Sequence, residues 1–197
     1  MKKLFSILSV WLFVVAMAVP SVAKPFVVDS AHSTIGFSVT HLQLSEVEGR
    51  FNSFDGSIDW NKDKPEASKI NFTVNVNSVD TANKKRDEHL LSDDFFAADK
   101  FKTMTFKSTS VSHLSGDKYK VVGDLTIHGV TKSIVLSANI KGPIDAFNDG
   151  SESIGFKTTF KINRIQYGVG DGWKGGSDKI VGHDVFITIK GEAHEPE

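Results

Sequence analysis

Between Ser68 and Val79 the chain alternates. Ile70, Phe72, Val74 and Val76 fall on one side; Asn71, Thr73, Asn75 and Asn77 fall on the other. Successive side chains of a strand point to opposite faces, so this stretch has one apolar face and one wet face. The same beat returns elsewhere. Phe26-Val27-Val28 and Thr34 to His41 read as opening strands, with Ile35, Phe37, Val39 and His41 on one face. Met104 and Phe106 mark another strand, and Tyr119, Val121, Gly123, Leu125 and Ile127 the next. Ile134, Leu136, Ala138 and Ile140 pair back from a tight turn at His128-Gly129-Val130-Thr131 as a hairpin. Ile154, Phe156, Thr158, Phe160 and Ile162 make a further strand; Val185, Ile187 and Ile189 close the series.

Two stretches depart from the beat. From Val47 to Trp60 the phase slips: Val47, Gly49 and Phe51 keep one register, while Phe54, Gly56, Ile58 and Trp60 keep the other. One extra residue does this, which predicts a bulge near Asn52-Ser53 that bends a long strand. Asn61 to Pro65 is a polar turn. From Thr81 to Phe96 there is no two-residue period; Thr81 is a candidate cap, and a short helical insertion is expected near residues 82–96, pinned by Leu90, Leu91, Phe95 and Phe96. Gly168, Gly170, Gly172, Gly175 and Gly176 surround Trp173 in what reads as a mobile loop, a flap near one end. Eight evenly spaced antiparallel strands with one insertion predict an all-β sandwich or up-and-down barrel. An eight-stranded barrel has an interior just wide enough for side chains or one ligand.

Composition narrows the setting. Residues 1–23 read as a secretory signal peptide: Lys2 and Lys3 open it, Leu4 to Val19 is apolar, and Ser21-Val22-Ala23 is a small-residue cleavage site. The apolar run is shorter than the roughly 20 residues of a spanning helix. The expectation is therefore an exported chain, 24–197, forming one β-barrel domain with no spanning segment. Removing two lysines takes the formal charge from −1 to −3. No basic stripe exists, which argues against nucleic acid. There is no cysteine, so an exported domain would be held by burial alone and not by disulfides. Lys24 in place of a cysteine after the cleavage site argues against a lipoprotein anchor, and the whole pattern suits a bacterial periplasm. Fifteen phenylalanines against two tyrosines supply apolar area without hydroxyls, which suits a dry cavity and a dry core equally.

Seven phrases, in order, resemble the signatures of one family: Asp29-Ser30-Ala31-His32-Ser33; Gly49-Arg50-Phe51-Asn52-Ser53-Phe54-Asp55-Gly56; Arg86-Asp87-Glu88-His89-Leu90 with Asp94-Phe95-Phe96; Phe106-Lys107-Ser108; Gly123 to Thr131; Arg164-Ile165-Gln166-Tyr167-Gly168-Val169; and Gly182-His183-Asp184-Val185. On these the chain is similar to the YceI-like family of exported proteins. The resemblance implies an extended, lipocalin-like, eight-stranded antiparallel barrel. It also implies a long isoprenoid or similar amphiphile (a polyprenyl chain, a quinone or a fatty amide) held in the interior. The segment from Arg164 to Val169 carries Ile-Gln-Tyr where the family more often has an acidic residue and Phe.

The residues expected to face such a ligand are Phe37, His41, Phe51, Phe72, Val74, Phe106, Leu125, Leu136, Phe156, Phe160, Arg164 and Ile187. Taken singly, each apolar one reads better as core filling; the family resemblance is what favours a cavity. His41 shares the face of Phe37 and would make a polar contact; Arg164 would meet a phosphate-like head group or pair with Asp171 or Asp178. Arg86 and Asp87 read as a local ion pair or cap. The seven histidines show no ligand spacing, so no metal and no cofactor is expected. Ser33, Ser108 and Ser133 lack a nucleophile elbow, and the Asp93-Asp94 pair lies in no cleft motif. The leading expectation is a non-enzymatic periplasmic carrier. The rivals are a lipid-processing hydrolase or isomerase using His41 or Arg164 on a prenyl substrate, and a partner module that hands quinone to a membrane electron carrier. An exposed edge strand would let two copies pair as a homodimer.

Overall fold

Apolar side chains at every second position need a common interior, and eleven strand segments supply it by curling one sheet onto itself. The structure, a computed structural model, describes residues 22–145, 148–173 and 179–196. The segments are β1 (Lys24–Val28), β2 (Thr34–His41), β3 (Ser45–Phe51), β4 (Phe54–Trp60), β5 (Lys69–Asn75), β6 (Val79–Asp80), β7 (Thr103–Ser115), β8 (Lys118–Ile127), β9 (Val130–Ile144), β10 (Ser153–Asn163) and β11 (Val181–His194), with one helix, α1 (Lys84–Leu91). Three pairs of segments are single staves broken by an irregularity: β1 with β2, β3 with β4, and β5 with β6. The result is a closed eight-stranded antiparallel barrel, each stave hydrogen-bonded to its chain neighbour and the first pairing with the last. Closure is made along β11, where Val185–Lys190 pairs with β2 and Ala193–His194 pairs with β1.

The irregularities match one another. The slip at Asn52-Ser53 separates β3 from β4, as the phase change requires. Opposite it, the chain leaves strand geometry for a single 3-10 turn at Val76–Ser78. The Asn75 side chain accepts from the Asn77 amide at 3.0 Å, and the Ser78 hydroxyl and Asn75 amide both donate to the Ser53 carbonyl. The alternation through Val79 concealed this break, because Val76 stays buried and in phase. The β1–β2 break is tied down by the Asp29-x-x-His-Ser phrase. Asp29 accepts from the Ala31 amide and bonds His32 Nδ1 at 2.6 Å, while the Ser33 hydroxyl bonds Glu192 of β11.

Helix α1 is shorter than the insertion expected over 82–96; its remainder is a run of turns. Its cap is Asn83, whose side chain accepts from the Arg86 amide, and not Thr81. Thr81 instead gathers Arg86 and Asp87: Arg86 Nε donates to its hydroxyl at 2.7 Å, and that hydroxyl donates to Asp87. The two charges meet through Thr81 and make no direct ion pair within 4.0 Å. Between His128 and Gly129 both residues have positive φ, the geometry of a two-residue hairpin turn.

One seam in the wall is incomplete. β10 pairs with β9 only from Ser153↔Ile144 to Thr158↔Ala138. Beyond that, Val130–Ser137 pairs with β8 alone and Thr159–Asn163 with β11 alone. The turn after β10 bridges the gap: Lys132 of β9 sits 6.0 Å from the Tyr167 ring, which is buried.

Candidate functional site

The barrel interior is stoppered at one end. Phe26, Trp60, Val111 and Ile154 are fully buried there, and the rings of Trp60 and Tyr119 meet edge-on at 4.7 Å. Above this floor runs a cavity of about 200 Å³, counted as the space open to the centre of a water molecule. Its wall is apolar over almost its whole length; Ile58, Ile70 and Ala138 stand deep, and Val39, Val181, Val185 and Leu90 stand near the other end. Lys157, Arg164 and Tyr167 are the ionisable residues of that wall among the described residues.

Aromatic rings shape the channel. Phe37 packs on Phe51 at 5.6 Å, and Phe51 meets Phe96 edge-on at 6.0 Å, which joins the wall to the turns after α1. Phe72 of β5 and Phe156 of β10 lie on opposite sides of the barrel, yet their rings meet at 5.8 Å. This pair narrows the middle of the channel. Phe37 finds room because its cross-strand partner is Gly49; a Cβ there would overlap the Phe37 ring. Gly49 opens the second of the family phrases, and the space it leaves explains that glycine.

Eleven of the twelve residues singled out from the sequence lie in this wall: Phe37, Phe51, Phe72, Val74, Phe106, Leu125, Leu136, Phe156, Phe160, Arg164 and Ile187. His41 does not. It has the right phase, but β2 ends there, and it pairs with Ser45 and Val181 at the rim. His41 thus stands at the rim beside Val181, which lines the cavity, and not in the wall itself, because alternation gives the direction of a side chain and not the height at which the cavity stops. The sequence reading passed over Ala138, Met104, Tyr167, Val169 and Val181. Ala138 and Met104 sit in phase on recognised strands and were legible; Val169 and Tyr167 sit in a glycine-rich turn with no period to read.

Arg164 does something different from either sequence expectation. Only 7% of it is exposed. Nε donates to the Gly182 carbonyl at 2.9 Å, one terminal nitrogen to Val169 at 2.8 Å, and the other to Val181 at 3.0 Å. The guanidinium thus ties the turn after β10 to the start of β11. Burial lowers its pKa and the nearby Asp171 carboxylate raises it. Among the described residues no carboxylate comes within 4.0 Å, so the direct pairing with Asp171 is not made; Asp178 lies outside the described residues. Gly170, at φ +71, passes so close to the guanidinium that a Cβ would collide with it. Trp173 is held rather than free, with its ring 5.4 Å from His89 and 5.3 Å from Phe95. The rest of the expected mobile loop, including Gly175 and Gly176, lies outside the described residues.

No group of three His, Asp or Glu side chains among the described residues is arranged to hold a metal ion. No helix among them is long and apolar enough to cross a membrane.

A family model described as a YceI-like domain matches residues 26–193. A UPF0312 protein of Vibrio vulnificus is 40% identical over 159 residues, covering 78% of this chain and 82% of its own. The crystal structure of a Campylobacter jejuni YceI protein superposes with a TM-score of 0.72 at 38% identity, over 80% of this chain and 90% of that one. A polyisoprenoid binding domain from Saccharophagus degradans has the same fold, with a TM-score of 0.69 over 88% of this chain and 99% of that one, at 16% identity.

Proposed function

The chain belongs to the YceI-like family, and from that premise we propose that it is a non-enzymatic carrier that holds one long apolar chain inside its barrel. The observation that carries this reading is the cavity: an apolar channel, stoppered at one end, in a barrel of a size that side chains alone could have filled. The cargo is an isoprenoid, a quinone or a fatty amide. The structural likeness to a domain described as polyisoprenoid binding supports the first of these. Residues 1–23 act as a cleaved export signal, and the carrier works in the periplasm as one domain. Wall chemistry supports carriage over catalysis. Hydrolysis or isomerisation calls for an acid and a base placed together, whereas the wall among the described residues offers an arginine engaged by three carbonyls, a buried tyrosine and an outward, exposed lysine.

Burial drives the binding. A buried CH₂ contributes about 0.8 kcal/mol, so a tail that buries, for example, about fifteen of them gains ~12 kcal/mol. Association costs at least about 4 kcal/mol, which leaves at most roughly 8 kcal/mol for such a tail, a complex no tighter than about micromolar. Affinity should therefore climb with tail length until the channel is full, and depend weakly on the head. A length series of polyprenols, added to protein stripped of lipid, measures this. Filling the deep end with Ala138→Phe should shift the preferred tail several carbons shorter while the fold survives. Affinity that is flat across the series, or a variant with unchanged preference, counts against carriage.

A further inference from the structure

The inward face of β9 is apolar except at one position. Ile134, Leu136, Ala138 and Ile140 point into the barrel, and Lys132 shares their phase. Its cross-strand partner is Leu125, which lines the cavity. A lysine so placed ordinarily carries its ammonium out to water or to a carboxylate. Lys132 is half-buried instead, and its ammonium turns to the ring of Tyr167 at 6.0 Å. At that distance the ring holds it weakly. Among the described residues Lys132 makes no ion pair and no hydrogen bond.

Tyr167 supplies a second donor without a partner. It is buried and lines the cavity, yet its hydroxyl makes no hydrogen bond among the described residues. Buried hydroxyls ordinarily have one. Burial raises its pKa, so the hydroxyl keeps its proton. The two donors meet at the seam where Val130–Ser137 and Thr159–Asn163 have no ladder between them. Side chains alone close the wall there. At the floor the unpartnered donor is Trp60 Nε1, and Trp60 does not line the cavity.

We propose that Lys132 and Tyr167 hold the head of the cargo, and that this head is a carboxylate. The inference rests on the carrier reading and adds long-chain fatty acids to what the barrel takes, with the tail toward Trp60 and the head at the seam. Arg164, whose planar fork would suit a phosphate, is already engaged by three backbone carbonyls. One ammonium and one hydroxyl remain, a donor for each oxygen of a carboxylate. A quinone or an amide has no charge to match the ammonium. The tail still supplies most of the affinity; the pair selects among heads and sets which end of the cargo lies by the turn after β10.

The test is displacement of the neutral fluorophore N-phenyl-1-naphthylamine from lipid-stripped protein by laurate and by 1-dodecanol, which share one tail. Wild type should prefer laurate about tenfold, the size of a charge-assisted bond. Lys132→Met should bring the ratio of the two affinities close to one, Tyr167→Phe should lower it about threefold, and Lys132→Arg, which keeps the charge, should restore it. Lys190→Met, which removes an exposed lysine of β11, should keep the wild-type ratio. Equal affinity of wild type for laurate and dodecanol would overturn the proposal, as would a preference that survives Lys132→Met. Excess acetate should leave laurate binding as it is; acetate that abolishes the preference would make the pair a site for free carboxylates and overturn its assignment to cargo. The two claims fail separately. Uptake of both lipids without preference sinks the head site alone, whereas a wild type that takes up neither lipid nor fluorophore sinks the carrier reading.

Discussion

Asp29, half-buried beside β11, carries much of the seam. His32 bonds it at 2.6 Å, the Ala31 amide adds a second bond, and together they hold its pKa at about 2 against an ordinary 3.8. The same contact raises His32 above its ordinary 6.5. The groups facing this pair are His194 of β11, 3.5 Å from the Asp29 carboxylate, and Glu192, which also favours the charged imidazole. The carboxylate's contribution to stability is present above its unfolded pKa and is lost as pH falls from about 4 through about 2. The imidazole's contribution is full below 6.5 and is lost as pH rises through its raised folded value. Melting temperature should thus be highest between about 4 and 6.5, and Asp29→Asn should flatten both limbs. A pH series of thermal melts on the two proteins checks this; parallel curves would remove Asp29 from the explanation. Arg164 gives a second residue-scale prediction. Arg164→Met strands the carbonyls of Val169, Val181 and Gly182 and should cost about 2–4 kcal/mol in urea unfolding. The Asp-x-x-His-Ser phrase was visible in the sequence; the three-carbonyl role of Arg164 was not, because backbone acceptors carry no sequence signature.

At the level of strands, glycines and rings are fitted to each other. Gly49 faces Phe37 across the β2–β3 ladder, so Gly49→Val must either drive the ring into the channel or spread the two strands. Overpacking of this kind costs about 1–3 kcal/mol. The expected result is a protein that still folds but retains much less cargo after purification; full retention would mean that Phe37 has another place to go. The strands themselves were readable wherever one face is buried, as in Lys69–Asn75 and Lys118–Ile127, since a shift of one residue would turn every inward side chain out. The bulge at Asn52-Ser53 was readable for the same reason. The 3-10 break at Val76–Ser78 was not, because Asn75 caps it locally while Val76 keeps its inward phase.

For the whole molecule, alternation says that a set of side chains points inward without saying what they meet. Closure of the barrel pairs the two ends of the chain, Val27↔His194, and no local pattern encodes a contact so distant in sequence. The unpaired upper halves of β9 and β10 are likewise a matter of stave length and tilt, not of composition. The resemblance to known signatures supplied the closed barrel, and the structure supplied the floor at Trp60 and Tyr119, the pinch at Phe72 and Phe156, and the place of His41 at the rim beside Val181. A lipid tenant in that channel is the central claim. It is tested most directly by native mass spectrometry of protein purified from its host without detergent. The carrier reading predicts a complex heavier than the bare chain by one long-chain lipid, released on denaturation and regained from added polyprenol. A spectrum of bare chain alone, from a protein that takes up no added lipid, would contradict it.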